Sequence, residues 1–491
     1  MRRALAVVLV AAAAAGCTVG PNYVRPTVVS PDAWRIDYPK AVEVANTVWW
    51  AQFGDPVLDE LVGTGVRENL DIRAAAARVD QFIGQLVTTQ SQFYPQFGYN
   101  AAVSRNRSST VGATPIPPGI SPYFTLYQAN LGANWQVDLW GRVRRLSESA
   151  QAQVYATEQG RRGVVLSVAS NVATAYIALR GFDRQLEIAR ATAENFRETQ
   201  RIFELRYKGG VVSQVELEQV RSQYEQAQAA IPAIEQQIAA QENLISLLLG
   251  RDPGPIPRGK AIDQLVPPAI PADLPSTLLE RRPDILQAED LIVSANANIG
   301  AAKALYFPQL SLTGALGSVS ASFGNFLGSA AAAWQVAAGL SGPIFTFGRI
   351  EGQVLTAEAA TREAVANYRQ TVLNAFRETN DVLVGSQKRR QEADAQDRRV
   401  AALREYARLS RRKFDNGYAS YLEVLYAENE LFSAELAAVS SRVQSYTQIV
   451  AVYTAMGGGW LDDAARVAPQ PFLADRAQGI WPLPQWDLPS R

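Results

Sequence analysis

The chain has 491 residues, 47% of them hydrophobic, which is typical of a folded protein of two or three domains. Its 47 Lys and Arg residues balance its 47 Asp and Glu residues, so no net charge draws it to nucleic acid. It has no histidine and one cysteine, which excludes zinc sites and catalytic arrangements that need histidine or a second cysteine, and we expect no catalytic residue, no metal site and no cofactor.

The N-terminus predicts a lipoprotein signal peptide over residues 1–16. Two arginines precede an apolar run over residues 4–15, which is too short to cross a bilayer and is typical of an export signal. Small residues then precede Cys17, as in a lipobox, so we expect cleavage before Cys17 and its lipidation; the alternative is an ordinary signal peptide with a chance cysteine. Thr18 stands where an aspartate would retain a lipoprotein in the inner membrane, which favours the outer membrane.

The rest of the chain is an internal duplication. Residues 69–72 (Asn-Leu-Asp-Ile) correspond to residues 282–285 (Arg-Pro-Asp-Ile), 213 positions later. Beyond the predicted strands the offset becomes 207, which pairs Gly210 with Gly417. A six-residue difference is easily absorbed by a loop, so we interpret the chain as two copies of one unit.

Each copy is predicted to contain a helix, a β-hairpin and a long helix with a returning partner. The predicted segments are an acylated, extended N-terminus (17–56), helix (57–95), hairpin (96–138), long coiled-coil helix pair (139–250), linker forming an equatorial belt (251–274), helix (275–308), hairpin (309–345), second long helix pair (346–457) and a Pro- and Trp-rich equatorial tail (458–491).

The predicted hairpins have the pattern of transmembrane β-strands. From residue 128 to 138 one face of the strand is polar or glycine, and the other is mostly apolar or aromatic. Strands of about ten residues with this alternation are typical of a membrane barrel, the alternative being a soluble sandwich with one wet face. Four strands cannot close a barrel, and lipid tolerates no open sheet edge. Two, three or four molecules of this protein must therefore combine to close one.

The long helices are predicted from a sustained heptad. Between residues 143 and 207 there is no proline, and apolar residues recur at alternating steps of three and four. At about 1.5 Å per residue this stretch makes a rod of roughly 100 Å. Glycine and asparagine at 208–210 and 415–417 predict tight turns into the return helices. The heptads alone leave open a soluble coiled-coil stalk, but continuity with membrane strands favours a hollow cylinder.

Several motifs in order resemble the lipoprotein (NodT-type) branch of TolC-family outer-membrane efflux proteins. They are Cys17-Thr18-Val19-Gly20-Pro21-Asn22-Tyr23, Trp49-Trp50-Ala51-Gln52-Phe53-Gly54-Asp55-Pro56, Arg281-Arg282-Pro283-Asp284-Ile285 and Gly342-Pro343-Ile344-Phe345-Thr346-Phe347-Gly348-Arg349. The resemblance implies a mostly α-helical homotrimer whose 12-stranded β-barrel continues into a long periplasmic α-helical barrel. It also implies two partners, a periplasmic adaptor protein and an inner-membrane transporter of the resistance-nodulation-division (RND) class.

The resemblance also implies two candidate sites. The turns between the long helices would contact the adaptor, through Gly209, Gly210, Ser213, Asn416, Gly417 and Ser420. The closed periplasmic aperture would lie just past the second turn, at Leu422, Glu423 and Tyr426. Tyr426 stands where the family often has an aspartate, so Glu423, Glu428 or Glu430 would have to supply any acidic ring.

The function expected from these features is that of a passive conduit for drugs or other small molecules. The same fold could serve a type I protein-secretion system, although the lipobox favours efflux. A structural periplasmic lipoprotein is a third possibility, disfavoured by the polar strand face. An enzyme is the least favoured, since there is no histidine and no clustered nucleophile.

Overall fold

The computed structural model describes residues 18–28, 30–31, 34–35, 48–111, 116–117, 119–270, 278–457 and 460–473. The predicted signal peptide, Cys17 and the last 18 residues of the predicted tail lie outside the described residues.

The two copies have the same order of elements. The first contains α1 (Pro56–Glu68), α2 (Leu70–Gln90), β1 (Gln96–Arg107), β2 (Tyr123–Val137), α3 (Arg142–Lys208) and α4 (Gln214–Leu248). The second contains α5 (Leu278–Arg281), α6 (Pro283–Lys303), β3 (Gln309–Ser320), β4 (Ala332–Ser341), α7 (Arg349–Asp415) and α8 (Tyr421–Met456), and is followed by α9 (Trp460–Val467).

The strands form one antiparallel sheet in the order β1-β2-β3-β4. β2 joins the two hairpins by pairing with β3, for example Asn134 with Thr313. In the part of the chain that the structure describes, β1 and β4 each pair on one side only, so the sheet ends in two open edges. Edges of this kind must be paired in lipid, as the sequence predicted.

The two long helices, α3 and α7, have 67 residues each and are about 100 Å long. α3 follows Gly141 (φ 76°), and the Asp138 carboxylate accepts hydrogen bonds from the backbone N–H groups of Val143 (3.1 Å) and Arg144 (3.0 Å). These bonds satisfy N–H groups that a helix N-terminus otherwise leaves unpaired. α3 contains an apolar stretch long enough to cross a membrane by composition, but 56% of that stretch is buried within the fold.

Shorter helices are stacked end to end beside each long one. The prediction of single helices over 57–95 and 275–308 is wrong, because each of these segments is broken into two helices. The first is broken at Asn69 into α1 and α2, and the second at Arg282 into α5 and α6. Asn69 leaves helical geometry (φ −58°, ψ 134°), and its side-chain oxygen accepts from the N–H groups of Asp71 and Ile72. Arg282 precedes a proline, which disfavours helical geometry at the residue before it.

An aromatic core lies where the stacked helices meet. Trp49 and Trp50, on a short 3₁₀ helix (Trp49–Phe53), pack edge-to-face with Trp460 of α9. Trp49 also stacks on Tyr453 of α8, with ring centroids 5.5 Å apart. The Trp-containing segments of the N-terminus and tail are thus joined at mid-height of the helical part.

A buried carboxylate holds the N-terminal segment and the belt against α3. Asp55 has no exposed surface and accepts hydrogen bonds from Val57 N (3.0 Å), Lys260 N (3.0 Å) and the Tyr176 hydroxyl (2.8 Å). A buried charge is costly unless it is fully hydrogen-bonded, and these three donors supply that bonding. Burial beside Asp55 also raises the pKa of Tyr176, so its hydroxyl remains a donor.

Candidate channel sites at the helix tips and along the sheet

The turn between α3 and α4 is a tight glycine turn closed by a capping box. Gly210 has φ 72°, and the Val211 N–H donates to the Arg206 carbonyl over 2.8 Å. Glycine takes this backbone conformation without the steric cost that other residues incur. The Ser213 hydroxyl accepts from Glu216 N, and the Glu216 carboxylate accepts from Ser213 N over 2.8 Å. Gly209 remains in right-handed helical geometry (φ −83°).

The turn between α7 and α8 has the same backbone with different side-chain bonds. Gly417 has φ 76°, and the Tyr418 N–H donates to the Lys413 carbonyl over 2.9 Å. The Asn416 side-chain amide donates to the Arg412 carbonyl over 2.7 Å, and the Asn416 backbone N–H donates to the same carbonyl over 3.2 Å. Ser420 begins α8 without a side-chain cap.

Both tips expose apolar side chains. Val211 is 74% exposed, Val215 is 67% exposed and Tyr418 is 85% exposed. Clustered exposed apolar side chains often mark surfaces for a partner. The predicted tip residues therefore shape two turns that present apolar contacts beyond the helix ends.

The predicted aperture residues do not share one face. Leu422 and Tyr426 are four positions apart on α8, and both are more than half exposed. Glu423 lies instead between α7 and α8, 3.5 Å from the Lys413 ammonium and 3.3 Å from the Ser410 hydroxyl. The structure thus brings Leu422 and Tyr426 together and separates Glu423 from them.

The two other acidic residues near the aperture also pair with cations of α7. Glu428 lies 3.7 Å from Arg411, and Glu430 lies 3.2 Å from Arg399. Burial raises the pKa of Glu428, and Arg411 opposes this rise. These pairings disfavour an acidic ring at this level.

An aromatic cluster beneath the tips connects the two copies and was not predicted. Tyr421 of α8 packs on Phe203 of α3 and on Phe414 of α7, with ring centroids 4.3 and 5.0 Å apart. The Arg206 guanidinium lies over the Phe414 ring at 5.6 Å. Burial raises the pKa of Tyr421 to about 12. The sequence feature that could have indicated this cluster is the presence of three aromatic residues within about ten positions of the turns.

One face of the sheet is polar and uncharged. Cross-strand partners share a face, so the register places the polar face of β2 together with alternate residues of the other strands. Its polar side chains are Gln96, Asn100, Ser104, Asn106, Gln128, Asn130, Asn134, Gln136, Gln309, Ser311, Thr313, Gln335 and Ser341. The opposite face exposes Phe97, Tyr99, Leu131, Trp334 and Val336. This is the arrangement of a barrel with lipid outside and water inside.

Among the described residues, no group of three or more acidic, Cys or His side chains is arranged to hold a metal ion. The candidate sites consist of surfaces and a pore lining.

Comparison with known proteins agrees with this geometry. The chain matches the family described as outer membrane efflux protein twice, over residues 65–251 and 274–458. The cation efflux system protein CusC of Escherichia coli O6:H1 is 32% identical over 92% of this chain and 97% of its own length. The probable outer membrane lipoprotein SilC of Salmonella typhimurium is 30% identical over 91% of this chain and 97% of its own.

The solved structures give the same result. The open state of the MtrE outer membrane channel of Neisseria gonorrhoeae superposes with a TM-score of 0.82 and 28% identity, covering 90% of this chain and 99% of that chain. These relatives are outer-membrane channels rather than enzymes, and the predicted fold class, a duplicated unit that trimerises into a β-barrel continuous with an α-helical barrel, is confirmed. The chain belongs to the outer membrane efflux protein family and is an efflux channel of the outer membrane that extends into the periplasm.

Proposed function

We propose that this channel is the passive outer conduit of a tripartite pump and that its two helix tips bind a periplasmic adaptor made of helical hairpins. An RND-class transporter of the inner membrane would supply the cargo of drugs or other small molecules and the energy for export. The observation that carries the proposal is the pair of glycine turns, at Gly210 and Gly417, which hold exposed apolar side chains at the far end of rods about 100 Å long.

The tips suit a partner that also ends in tight helical turns. Val211 and Tyr418 follow the two positive-φ glycines at equivalent positions of the two copies, so a trimer presents six similar apolar knobs in a ring. An apolar contact surrounded by the charged groups of neighbouring helix ends gives a docking surface that can form and separate in water.

The aperture belongs to the same proposal. Leu422 and Tyr426 lie within two helical turns of the docking surface and project from α8 on one face. Symmetry repeats each side chain three times, so a ring of leucines and a ring of tyrosines would narrow the closed pore. An adaptor that moves the tips would also move these rings.

Lipidation of Cys17 would add a second attachment to the outer membrane. The described chain begins at Thr18, and the Val19 N–H donates to the Trp140 carbonyl over 3.2 Å, next to the end of β2. The described residues that follow Cys17 therefore lie at the membrane end of the helices. Acyl chains attached there could enter the inner leaflet.

The test is a charge placed on each tip. The variant V211E/Y418E should still form heat-resistant trimers but should lose binding to the adaptor of its pump and fail to restore drug resistance to a deletion strain. The control V111E places the same charge on a 93% exposed valine in the loop after β1, at the opposite end of the molecule, and should bind and export normally. Normal adaptor binding by V211E/Y418E would refute docking through the tips.

If trimers of V211E/Y418E bind the adaptor but export fails, the tips act on the aperture rather than on docking. If a Cys17→Ala variant remains in the outer membrane and incorporates radiolabelled palmitate, the lipidation proposal is wrong. A conduit lacking the acyl chain should still conduct in planar bilayers, since its barrel supplies the membrane crossing.

A further inference from the structure

The membrane part of this chain is almost free of charge. Residues 96–137 and 304–348, which contain both hairpins, include no Asp, Glu or Lys and only two arginines, Arg105 and Arg107. The chain as a whole has equal numbers of cationic and anionic residues, so the two hairpin segments carry an isolated charge of +2. Because no acidic residue in these segments compensates the two cations, they favour an anionic partner.

Both arginines lie on the lipid-facing side of the sheet. They alternate in β1 with residues of the polar face and share their own face with Phe97, Tyr99 and Val103, each more than two-thirds exposed. The polar residues Ser104 and Asn106, which alternate with the two arginines, occupy the pore side. The cations therefore do not enter the pore.

Their height corresponds to the outer edge of the bilayer. β1 leaves the helical part at Gln96 and ends at Arg107, at the end of the barrel away from the periplasm. At about 3.3 Å per residue and a tilt of roughly 40°, Arg105 lies about 23 Å and Arg107 about 28 Å above Gln96. The apolar band of a bacterial barrel is about 25 Å tall, so the two side chains flank its upper edge.

The neighbouring strand orients both guanidinium groups. Arg105 donates from Nη1 to the Thr125 hydroxyl over 3.2 Å, and Arg107 lies over the Tyr123 ring at 5.6 Å. Thr125 and Tyr123 are the direct cross-strand partners of the two arginines. Each guanidinium has five N–H donors, and these contacts occupy few of them.

We propose that Arg105 and Arg107 bind the phosphate groups of a phosphorylated lipid in the outer leaflet. Arginine recognises phosphate through two parallel N–H···O bonds, and a phosphate at the edge of the apolar band meets both side chains at their own height. In the trimer three such pairs surround the barrel, so the channel recruits a ring of anionic lipid around its extracellular rim.

The test compares lipid binding by purified trimers, measured by native mass spectrometry during titration with bisphosphorylated lipid A. The variant R105Q/R107Q should bind it about 25-fold more weakly than the wild type, a factor of about five for each arginine near a lipid surface. Binding of phosphatidylcholine should be unchanged. The control R390Q/R398Q removes two exposed arginines from α7, outside the membrane part, and should bind lipid A like the wild type.

Further arms separate the lipid phosphate from other causes. R105K/R107K keeps the charge but loses the paired N–H donors of the guanidinium, so its affinity for lipid A should lie between those of the wild type and R105Q/R107Q. Lipid A without its phosphates should bind the wild type and R105Q/R107Q equally. Inorganic phosphate at the same concentration should not displace lipid A, because it lacks the acyl chains that hold the headgroup at this depth.

Wild-type affinity in R105Q/R107Q would overturn the proposal, as would equal binding of phosphorylated and dephosphorylated lipid A by the wild type. Displacement of lipid A by inorganic phosphate would show that the two arginines bind free phosphate rather than a phosphorylated lipid. If R105Q/R107Q fails to trimerise, the comparison of the two forms of lipid A on the wild type and on R105K/R107K decides the question.

Discussion

The Asn69 amide donates a hydrogen bond to the Leu248 carbonyl over 2.9 Å, and this bond joins the start of α2 to the end of α4. The second copy has the same junction, where the Arg282 guanidinium donates to the Ala455 carbonyl over 3.1 Å. The pairs correspond through the two offsets of the duplication, 213 and 207. In each copy this bond joins two short helices end to end beside a long one, α4 with α2 in the first copy and α8 with α6 in the second.

Replacing Asn69 tests the junction. N69A removes the helix cap and leaves the Leu248 carbonyl without its partner, and we expect a loss of about 2 kcal/mol per protomer. N69S is the matched control, since its hydroxyl can still cap the helix but it lacks the amide that donates to Leu248. Thermal unfolding followed by circular dichroism should rank the wild type above N69S and N69S above N69A. Equal melting of N69A and the wild type would contradict the role of the junction.

Two glycines with similar backbone geometry should differ in their tolerance of alanine. Gly210 and Gly250 have φ 72° and 69°, but a Cβ at Gly210 meets no atom within 4 Å, whereas one at Gly250 would lie 2.5 Å from the Glu68 carbonyl oxygen. G210A should therefore cost about 1 kcal/mol from backbone strain alone. G250A should cost roughly 1–3 kcal/mol more, because the backbone of α1 must move. Chemical denaturation measures both; equal losses would show that the close contact at Gly250 has no effect.

The stability of the tips should depend on pH through Glu428. Its pKa in the folded protein is raised above the ordinary value of 4.5 by burial, so the folded state binds this proton more tightly than the unfolded state. The stability that this group contributes is therefore fully present below about pH 4.5 and decreases as the pH rises through the raised pKa. E428Q should make the α7–α8 tip less sensitive to pH across that window, as measured by hydrogen exchange of residues 400–430. An unchanged pH profile in E428Q would exclude Glu428 as the titrating group.

The aperture proposal predicts a leakier channel when its side chains are shortened. L422A/Y426A should raise the single-channel conductance in planar bilayers several-fold and make cells more sensitive to large antibiotics, because three copies of each shortened side chain widen the opening. S433A, on an exposed position of the same helix, should conduct like the wild type. Unaltered conductance of L422A/Y426A would place the constriction elsewhere in the pore.

The duplication and the mixed helical and barrel fold could be predicted from the linear pattern, and the efflux family from the resemblance of its motifs; the comparisons and the fold confirm them. Periodicity is a local property: a period of two marks strands, and a heptad marks packed helices wherever they lie in space. The breaks at Asn69 and Arg282 were missed, because apolar spacing continues across both positions. Each break has a local cause, the Asn69 side-chain cap and the proline after Arg282, and each is held in the fold by a hydrogen bond to a residue more than 170 positions away.

In the candidate sites, too, the sequence specifies some features and the packing of the helices decides others. Residue type placed the turns at Gly210 and Gly417, since few other residues take a positive φ. The family resemblance grouped Glu423 with Leu422 and Tyr426, but the packing of α8 against α7 turns Glu423 towards Lys413. The cluster of Phe203, Phe414 and Tyr421 likewise exists only because the folded tips bring two copies together. A pattern along the chain specifies which face a residue occupies on its own element, and only the packing of the elements decides what that face meets.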